Sequence, residues 1–228
     1  LFFDDFLLIL IIFALRVERL KPITYKNYFL EEFMSRLVGN SAPDFTTDAV
    51  VNGEIKSISL HKDFAGKWKV LYFYPLDFTF VCPTEITAFE DNLSKFKELN
   101  CEVIGCSVDS AFSHLAWTNI ERNKGGLGKM QHPIASDLSK NIARSYEVLA
   151  GEAVALRGVF VIDDKNIVQT ATVNNLSVGR NVSEILRTVE AYQYTAKHGE
   201  VCPAGWTKGA ATMKPDPKGS QEYFKTLK

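Results

Sequence analysis

The stretch Tyr72-Phe73-Tyr74-Pro75-Leu76-Asp77-Phe78-Thr79-Phe80-Val81-Cys82-Pro83-Thr84-Glu85-Ile86 decides how this chain is read. An apolar strand runs into a turn, and the turn delivers Cys82 to the start of a helix. Helical spacing begins at once: Ile86, Phe89, Leu93 and Phe96 share one apolar face, which predicts a helix to about Leu99. Pro83 suits the first helical position, where a missing N–H costs nothing. Glu85 places a carboxylate in the first turn, where the helix dipole favours it. Cys82 therefore stands at or near the N-cap, where unpaired N–H groups and the positive dipole end favour thiolate. The expectation is an activated nucleophile. The alternative is an inert buried thiol packing as a small hydrophobe.

Outward from this stretch, the upstream half alternates polar and apolar residues from Ala42 to Leu60 around Asn52-Gly53, a hairpin signal. Phe64 to Trp68 reads as a turn. Lys69 to Tyr74 is almost continuously apolar, as in a central strand covered on both faces. Downstream, Cys101 to Val108 reads as a strand. A helix from about Ser110 is expected to present Phe112, Leu115, Ala116 and Ile120 on one face. Three glycines in Gly125-Gly126-Leu127-Gly128 predict a flexible surface loop. A phosphate-binding loop is disfavoured, because the Gly-x-x-x-x-Gly-Lys-Ser/Thr pattern is missing. Ser136 to Tyr146 reads as a helix. Gly158 to Ile162 and Ile167 to Val173 read as a hairpin turning at Asp163-Asp164-Lys165-Asn166. Asn181 to Tyr194 is a helix, with Asn181 and Glu184 at capping-box spacing. This order predicts an α/β domain with a mixed sheet.

The chain has 228 residues, 46% of them hydrophobic, enough for a sizeable core without disulfide staples. Its net charge of −1 points away from nucleic acid and anionic membranes. Four cysteines, Cys82, Cys101, Cys106 and Cys202, form no Cys-x-x-Cys pair and no zinc spacing, so no metal or cofactor is expected. Cys101 and Cys106 lie five apart on one strand and so face opposite sides as structural thiols. Cys202 lies in a Pro/Gly-rich arm, expected to be accessible, with Trp206 as its anchor. A second accessible thiol suits a resolving cysteine that condenses with oxidised Cys82. Thr79, in the same turn as Cys82, can reach the surroundings of the sulfur, although turn hydroxyls often bond their own backbone. Pro75 begins an apolar wall. Arg157, ahead of a core strand, can stand over the helix and stabilise an anion, although an exposed ion pair is equally expected.

The N-terminal residues are unlike the rest. Phe6 to Leu15 is apolar throughout but too short to span a bilayer. Asp4 and Asp5 occupy the place where a secretory signal carries positive charge, and basic residues from Arg16 to Lys26 leave an organelle leader open. The expectation is that translation starts at Met34 and that residues 1–33 are dispensable. No stable membrane insertion is expected. The predicted domains are an N-terminal extension 1–35, a folded domain 36–197 and a C-terminal arm 198–228.

Phe78-Thr79-Phe80-Val81-Cys82-Pro83-Thr84-Glu85, with Pro75 before it, resembles the peroxidatic motif of the typical two-cysteine peroxiredoxins. Ser107-Val108-Asp109-Ser110, His114-Leu115-Ala116-Trp117, Leu156-Arg157-Gly158, Val178-Gly179-Arg180 and Val201-Cys202-Pro203 extend the resemblance over roughly residues 36–228. It implies a thioredoxin-like fold with an extended C-terminal arm. It implies a thiol peroxidase in which Cys82 is peroxidatic and Cys202 resolving across a homodimer. Pro75, Thr79 and Arg157 would surround Cys82, and Glu85 and Arg180 would orient Arg157. Gly125, Gly126, Leu127, Gly128, Tyr223 and Phe224 match elements associated with over-oxidation. The implied partners are a peroxide substrate, thioredoxin or a similar dithiol, and a second copy of the chain, with decamers of such dimers. The compartment expected is the cytoplasm, or an organelle if residues 1–33 are a leader. A holdase chaperone or redox relay on the same scaffold is the competing reading. A thiol–disulfide oxidoreductase is opposed by the missing Cys-x-x-Cys, and a one-cysteine peroxidase by Cys202.

Overall fold

The computed structural model describes residues 37–227. The expected start at Met34 and the N-terminal apolar run lie outside the described residues. The first strands of the described residues are β1 (Thr46–Val51) and β2 (Glu54–Ser59), paired with Val51 opposite Glu54. Only Asn52 and Gly53 connect them, at φ 51° and 79°. Both positive angles match the twist of a two-residue hairpin, as the sequence predicts. A short helix, α1 (Leu60–Asp63), leads to β3 (Trp68–Phe73). Then come α2 (Cys82–Asp91), α3 (Leu93–Glu98), β4 (Cys101–Ser107) and α4 (Ala111–Thr118). After β5 (Ile134–Ser136) and α5 (Asn141–Ser145), a small ribbon of β6 (Leu149–Ala150) and β7 (Val154–Ala155) precedes β8 (Arg157–Ile162). β9 (Val168–Asn174), α6 (Val182–His198) and α7 (Gly219–Phe224) complete the chain.

The main sheet runs β2-β1-β5-β4-β3-β8-β9. β3, β4 and β5 are parallel neighbours, and the other pairings are antiparallel. It is a mixed sheet, with α-helices packed around it in a thioredoxin-like fold, as the sequence implies. β3 is buried at every position, and alternation splits its side chains between two cores. Val70 and Tyr72 face a cluster with Ile86 and Phe89 of α2, Phe96 of α3 and Val189 of α6. Leu71 and Phe73 face the other side, with Leu60, Ile142 and Phe160. Each large side chain removed from water contributes on the order of 2 kcal/mol. Cys101 falls in the first cluster and Cys106 in the second, as their spacing requires. Burial pushes both thiols well above the ordinary range.

Several local expectations need correction. The helix after Cys82 breaks at Asn92, whose side-chain amide donates back to the Ala88 carbonyl at 2.9 Å. Such a bond offers the chain an alternative to continued helix. The apolar face survives the break, since Leu93 and Phe96 stay buried. Pro83 occupies the second rather than the first helical position. In α4 the buried face is Ala111, His114, Trp117 and Thr118, and Phe112 is 75% exposed. A buried hydrogen bond between His114 Nδ1 and Asp77 Oδ2 at 2.8 Å draws the polar residue inward, which hydropathy alone does not predict. The segment Ser136 to Tyr146 is helical only over α5. Asp137 ends the strand and accepts the N–H groups of Ile142 at 3.0 Å and Ala143 at 2.6 Å. Asn181 caps α6 by accepting from Ser183 N–H at 2.9 Å, but Glu184 pairs with Arg187 rather than closing a capping box.

The Gly125–Gly128 loop is anchored rather than flexible. Leu127 is fully buried, and Trp117 Nε1 donates to the Gly125 carbonyl at 2.8 Å. A Cβ on Gly126 would lie 2.1 Å from the Ile120 carbonyl oxygen, so only glycine permits this turn. After α6, Gly199 at φ 67° ends the helix, and the arm is held back against it. Trp206 is 3% exposed, its ring 5.3 Å from that of Tyr194, and its carbonyl accepts from Arg187 Nη1 at 2.8 Å.

Candidate active site

The strand β3 ends at Phe73, and the turn from Tyr74 to Val81 carries the chain across the sheet's end into α2. Buried polar contacts fix this turn. Asp77 accepts from Tyr74 Oη at 2.8 Å and Ser113 Oγ at 2.7 Å, and its own N–H donates to Asp109 Oδ2 at 2.8 Å. Pro75 is buried within it. Phe78 takes a left-handed φ of 54°, a strained conformation for an aromatic residue that its neighbours must hold. The result sets Cys82 as the first residue of α2, wholly buried.

Among the described residues, one side-chain donor meets the sulfur. Arg157 Nη1 lies 3.3 Å from Cys82 Sγ. The same nitrogen donates to Glu85 Oε2 at 2.6 Å, and Arg157 Nε donates to the Leu176 carbonyl at 2.7 Å. Glu85 spends its other oxygen on Arg180, accepting from Nε at 2.7 Å and the backbone N–H at 2.8 Å. Arg180 Nη1 in turn donates to the carbonyls of Phe73, at 2.8 Å, and Gly158. Its Nη2 has no hydrogen-bond acceptor among the described residues, but the guanidinium lies 5.4 Å from the Tyr72 ring centroid, a cation–π distance. The side chains of Arg157, Glu85 and Arg180 are 4%, 2% and 3% exposed.

This packing sets the charge balance. Two guanidinium groups, which stay protonated in proteins, face one carboxylate in a site closed to water. One positive charge is left over, beside the Cys82 sulfur. Burying an unbalanced charge is costly, and pairing it with an adjacent anion relieves that cost. The arrangement therefore stabilises negative charge on the sulfur and on any oxygen bonded to it.

Cys82, Glu85, Arg157 and Arg180 are brought together as the sequence expects. Thr79 is in the same turn, but its hydroxyl donates to the Leu76 carbonyl at 2.9 Å, the local backbone bond common for turn hydroxyls. Its lone pairs remain available as acceptors. Cys202 is elsewhere, partly buried rather than exposed, with Sγ 3.7 Å from the Ala191 carbonyl of α6. It lines a groove of about 780 Å³ that also involves Thr172, Asn174, Glu184 and Arg187. Burial pushes the Cys202 thiol up, against the opposing influence of Arg187. All four thiols are free. Tyr223 and Phe224 contact each other on α7, and Phe224 is 52% exposed, so it is not packed over Cys82 in the single chain. Sequence reasoning passes over the Leu176, Phe73 and Gly158 carbonyls, because main-chain acceptors leave no trace in side-chain identity. It quotes Asp77 and His114 within its motifs but gives neither a role, although they bond each other beneath the Cys82 turn.

Comparison with known proteins bears on the same residues. The AhpC/TSA family matches residues 38–171, and the C-terminal domain of 1-Cys peroxiredoxin matches residues 191–226. A chloroplastic 2-cysteine peroxiredoxin of Chattonella marina var. antiqua is 56% identical over 195 residues, covering 85% of this chain and all of that protein. A thioredoxin peroxidase of Trypanosoma brucei rhodesiense is 54% identical over 192 residues, covering 83% of this chain and 96% of that protein. The crystal structure of reduced Plasmodium vivax 2-Cys peroxiredoxin superposes with a TM-score of 0.81 at 47% identity, covering 83% of this chain and 98% of that one.

Proposed function

Because the chain belongs to the AhpC/TSA family, among the two-cysteine peroxiredoxins, and is a peroxidase, we propose that Cys82 is the sulfur that attacks the peroxide and Cys202 the thiol that resolves it. The observation that carries this reading is the Arg157 guanidinium on the buried Cys82 sulfur, held by Glu85 and Arg180. The Cys82 thiolate attacks one peroxide oxygen and the O–O bond breaks. The other oxygen leaves and takes up the proton that the Cys82 thiol had released, giving water or alcohol, and Cys82 becomes a sulfenic acid. Negative charge moves along the S–O–O line during this step. Arg157 Nη1 is already fixed beside the sulfur, so its stabilisation requires little reorganisation. Thr79 and Pro75 shape the peroxide side of the turn, the hydroxyl of Thr79 offering lone pairs to a peroxide O–H.

A thiol buried in the first turn of a helix cannot meet a second thiol in place. The first turn of α2 opens, and Cys202 of a partner subunit attacks the sulfenic sulfur; a disulfide forms and water leaves. A dithiol reductant of the thioredoxin type then returns both thiols, a reading supported by the name of the trypanosome relative. Residues 198–228 act as the arm that brings Cys202 to the partner, attached to the domain 36–197, with 1–35 as an extension. The assembly is a homodimer, with decamers of such dimers. No helix among the described residues is long and apolar enough to cross a membrane. The compartment we assign is the cytoplasm. An organelle is the other outcome, since the Chattonella relative is chloroplastic by name; fractionation of the native protein distinguishes the two.

The chaperone or relay reading is not favoured, since the relatives are named as peroxiredoxins and peroxidases. The test is peroxide-dependent oxidation of reduced thioredoxin, with non-reducing electrophoresis of the products. Cys82→Ser abolishes turnover, and Cys202→Ser abolishes the peroxide-induced dimer band. Intact turnover in Cys82→Ser overturns the assignment of the nucleophile.

A further inference from the structure

The far end of the Cys82 helix carries a second buried polar constellation that the peroxide chemistry does not use. Glu90, one residue from the end of α2, points its carboxylate at the segment entering β5. It accepts from Gln131 N–H at 3.0 and 3.1 Å, from His132 N–H at 3.4 Å and from His132 Nδ1 at 2.7 Å. The side chains of His132 and Glu90 are 1% and 6% exposed. The other imidazole nitrogen, Nε2, is 2.8 Å from Tyr72 Oη. A donor on Nδ1 toward the carboxylate leaves Nε2 to accept the Tyr72 hydroxyl, so every proton has a partner. Tyr72 lies stacked on Phe89, the neighbour of Glu90, at 4.2 Å and 8° between planes. The ring has room only because its strand partner is glycine: a Cβ on Gly105 would sit 2.6 Å from Tyr72 Oη.

Disulfide formation requires α2 to open from its first turn. Nothing intrinsic to a helix stops such opening at a given residue. Here the hydrogen bonds of Glu90 and the Phe89–Tyr72 stack tie residues 89 and 90 to the central sheet, about two turns beyond Cys82. A charge-assisted bond to a desolvated carboxylate is among the strongest local ties available.

We propose that Glu90 and His132 form a staple that ends the segment able to unwind around Cys82, and so set how the sulfenic acid divides between disulfide and sulfinic acid. This rests on the two-thiol cycle proposed above. While the helix stays wound, the sulfenic acid faces the peroxide pocket: a second peroxide transfers an oxygen to the sulfur, giving sulfinic acid and water or alcohol. Once the helix opens, Cys202 of the partner attacks and water leaves. The staple raises the cost of opening and favours the first branch. Glu90 and His132 are positioning residues, since neither touches the sulfur.

The test uses the full chain. The sulfinic fraction per turnover is measured by mass spectrometry under repeated peroxide addition, beside the rate constant of the first peroxide reaction and native-state hydrogen exchange of residues 83–90. Loss of one charge-assisted bond corresponds to a change in opening of about ten- to a hundredfold. Glu90→Gln and His132→Leu are expected to lower the sulfinic fraction up to that limit and to raise exchange over 83–90, with the first peroxide reaction unchanged. His132→Asn, which keeps a donor near the Nδ1 position, is expected to restore much of the wild-type fraction. A wild-type sulfinic fraction in both Glu90→Gln and His132→Leu overturns the staple. So does exchange rising equally across the whole core, or an Asn variant as defective as Leu. The exchange arm needs no peroxide, so failure of the two-thiol cycle is seen separately, as absence of a Cys82–Cys202 disulfide in the wild type.

Discussion

Arg157 Nη1 lies 3.3 Å from Cys82 Sγ and 2.6 Å from Glu85 Oε2, so one nitrogen joins the buried sulfur to the buried carboxylate that holds Arg157. Arg157→Met removes the one side-chain donor that meets the sulfur among the described residues. The expected result is a peroxide reaction slower by about a hundredfold or more, the usual effect of losing a preorganised donor to a developing anion. Arg157→Lys keeps a charge but not the fork that holds sulfur, carboxylate and the Leu176 carbonyl together, and is expected to rescue little. Single-turnover oxidation of the reduced protein by peroxide measures both. A rate within threefold of wild type in Arg157→Met would remove Arg157 from the chemistry.

Glu85 is the second target, because both arginines depend on it. Glu85→Gln preserves shape but leaves two buried guanidinium groups without the carboxylate that pairs with both. The cost of stranding a buried charge is about 3 kcal/mol or more, read as a lower denaturation midpoint in urea. Activity falls as well, through misplacement of Arg157. Adding Arg180→Met to Glu85→Gln is expected to cost much less than the two single losses added together, since the second change removes the charge stranded by the first.

Much of this was legible before any coordinates. A continuous apolar strand, a turn ending in Cys-Pro and a helical repeat at Ile86, Phe89, Leu93 and Phe96 locate Cys82, and burial of all four residues follows from that repeat. Asn52-Gly53 located its hairpin to the residue. What escaped was decided by the hydrogen bonds of polar side chains, which hydropathy and spacing do not report. His114 is buried by Asp77, which reversed the expected face of α4. Asn92 divides a helix through its own amide. Thr79 spends its proton on Leu76. The Glu90–His132 pair spans 42 residues of sequence, and no local pattern announces it.

Thiol accessibility separates the four cysteines. Cys101 and Cys106 are buried in opposite cores with thiols shifted upward, whereas Cys202 is only partly buried. Native alkylation of the reduced protein is expected to modify Cys202 without unfolding, Cys82 at the rate of local opening of α2, and the other two only on global unfolding. Rapid labelling of Cys101 or Cys106 by peptide mapping would contradict the packing described for β4.

Gly105 makes a stability prediction. Its missing side chain is the space occupied by the Tyr72 hydroxyl and ring carbon, at 2.6 and 2.7 Å from where a Cβ would stand. Both groups are in the packed core, so neither can swing aside. Gly105→Ala is expected to cost about 1–3 kcal/mol from overpacking, measured by urea denaturation. Gly53→Ala, at an open turn with φ 79°, strains only a local backbone angle and serves as comparison; equal losses would show that the Tyr72 contact is not the cause.

The pH response divides the two chemical steps. Burial raises the Cys202 thiol above its ordinary value, and Arg187 acts in the opposite direction. A raised value means that the neutral thiol predominates near pH 7, and the thiolate is the attacking species. Disulfide formation is therefore expected to accelerate as pH rises toward the Cys202 value and to level off above it. Arg187 itself stays charged throughout, its own value raised by the Glu184 hydrogen bond. Arg187→Met removes the one influence that lowers the Cys202 value, so the rise moves to higher pH and the rate near neutrality falls. The first peroxide reaction at Cys82 should not follow this shift, because Arg187 belongs to the other site. Stopped-flow measurement of the two phases across pH separates them. A resolution phase with the same pH profile in wild type and Arg187→Met would mean that the Arg187 charge does not reach the attacking sulfur.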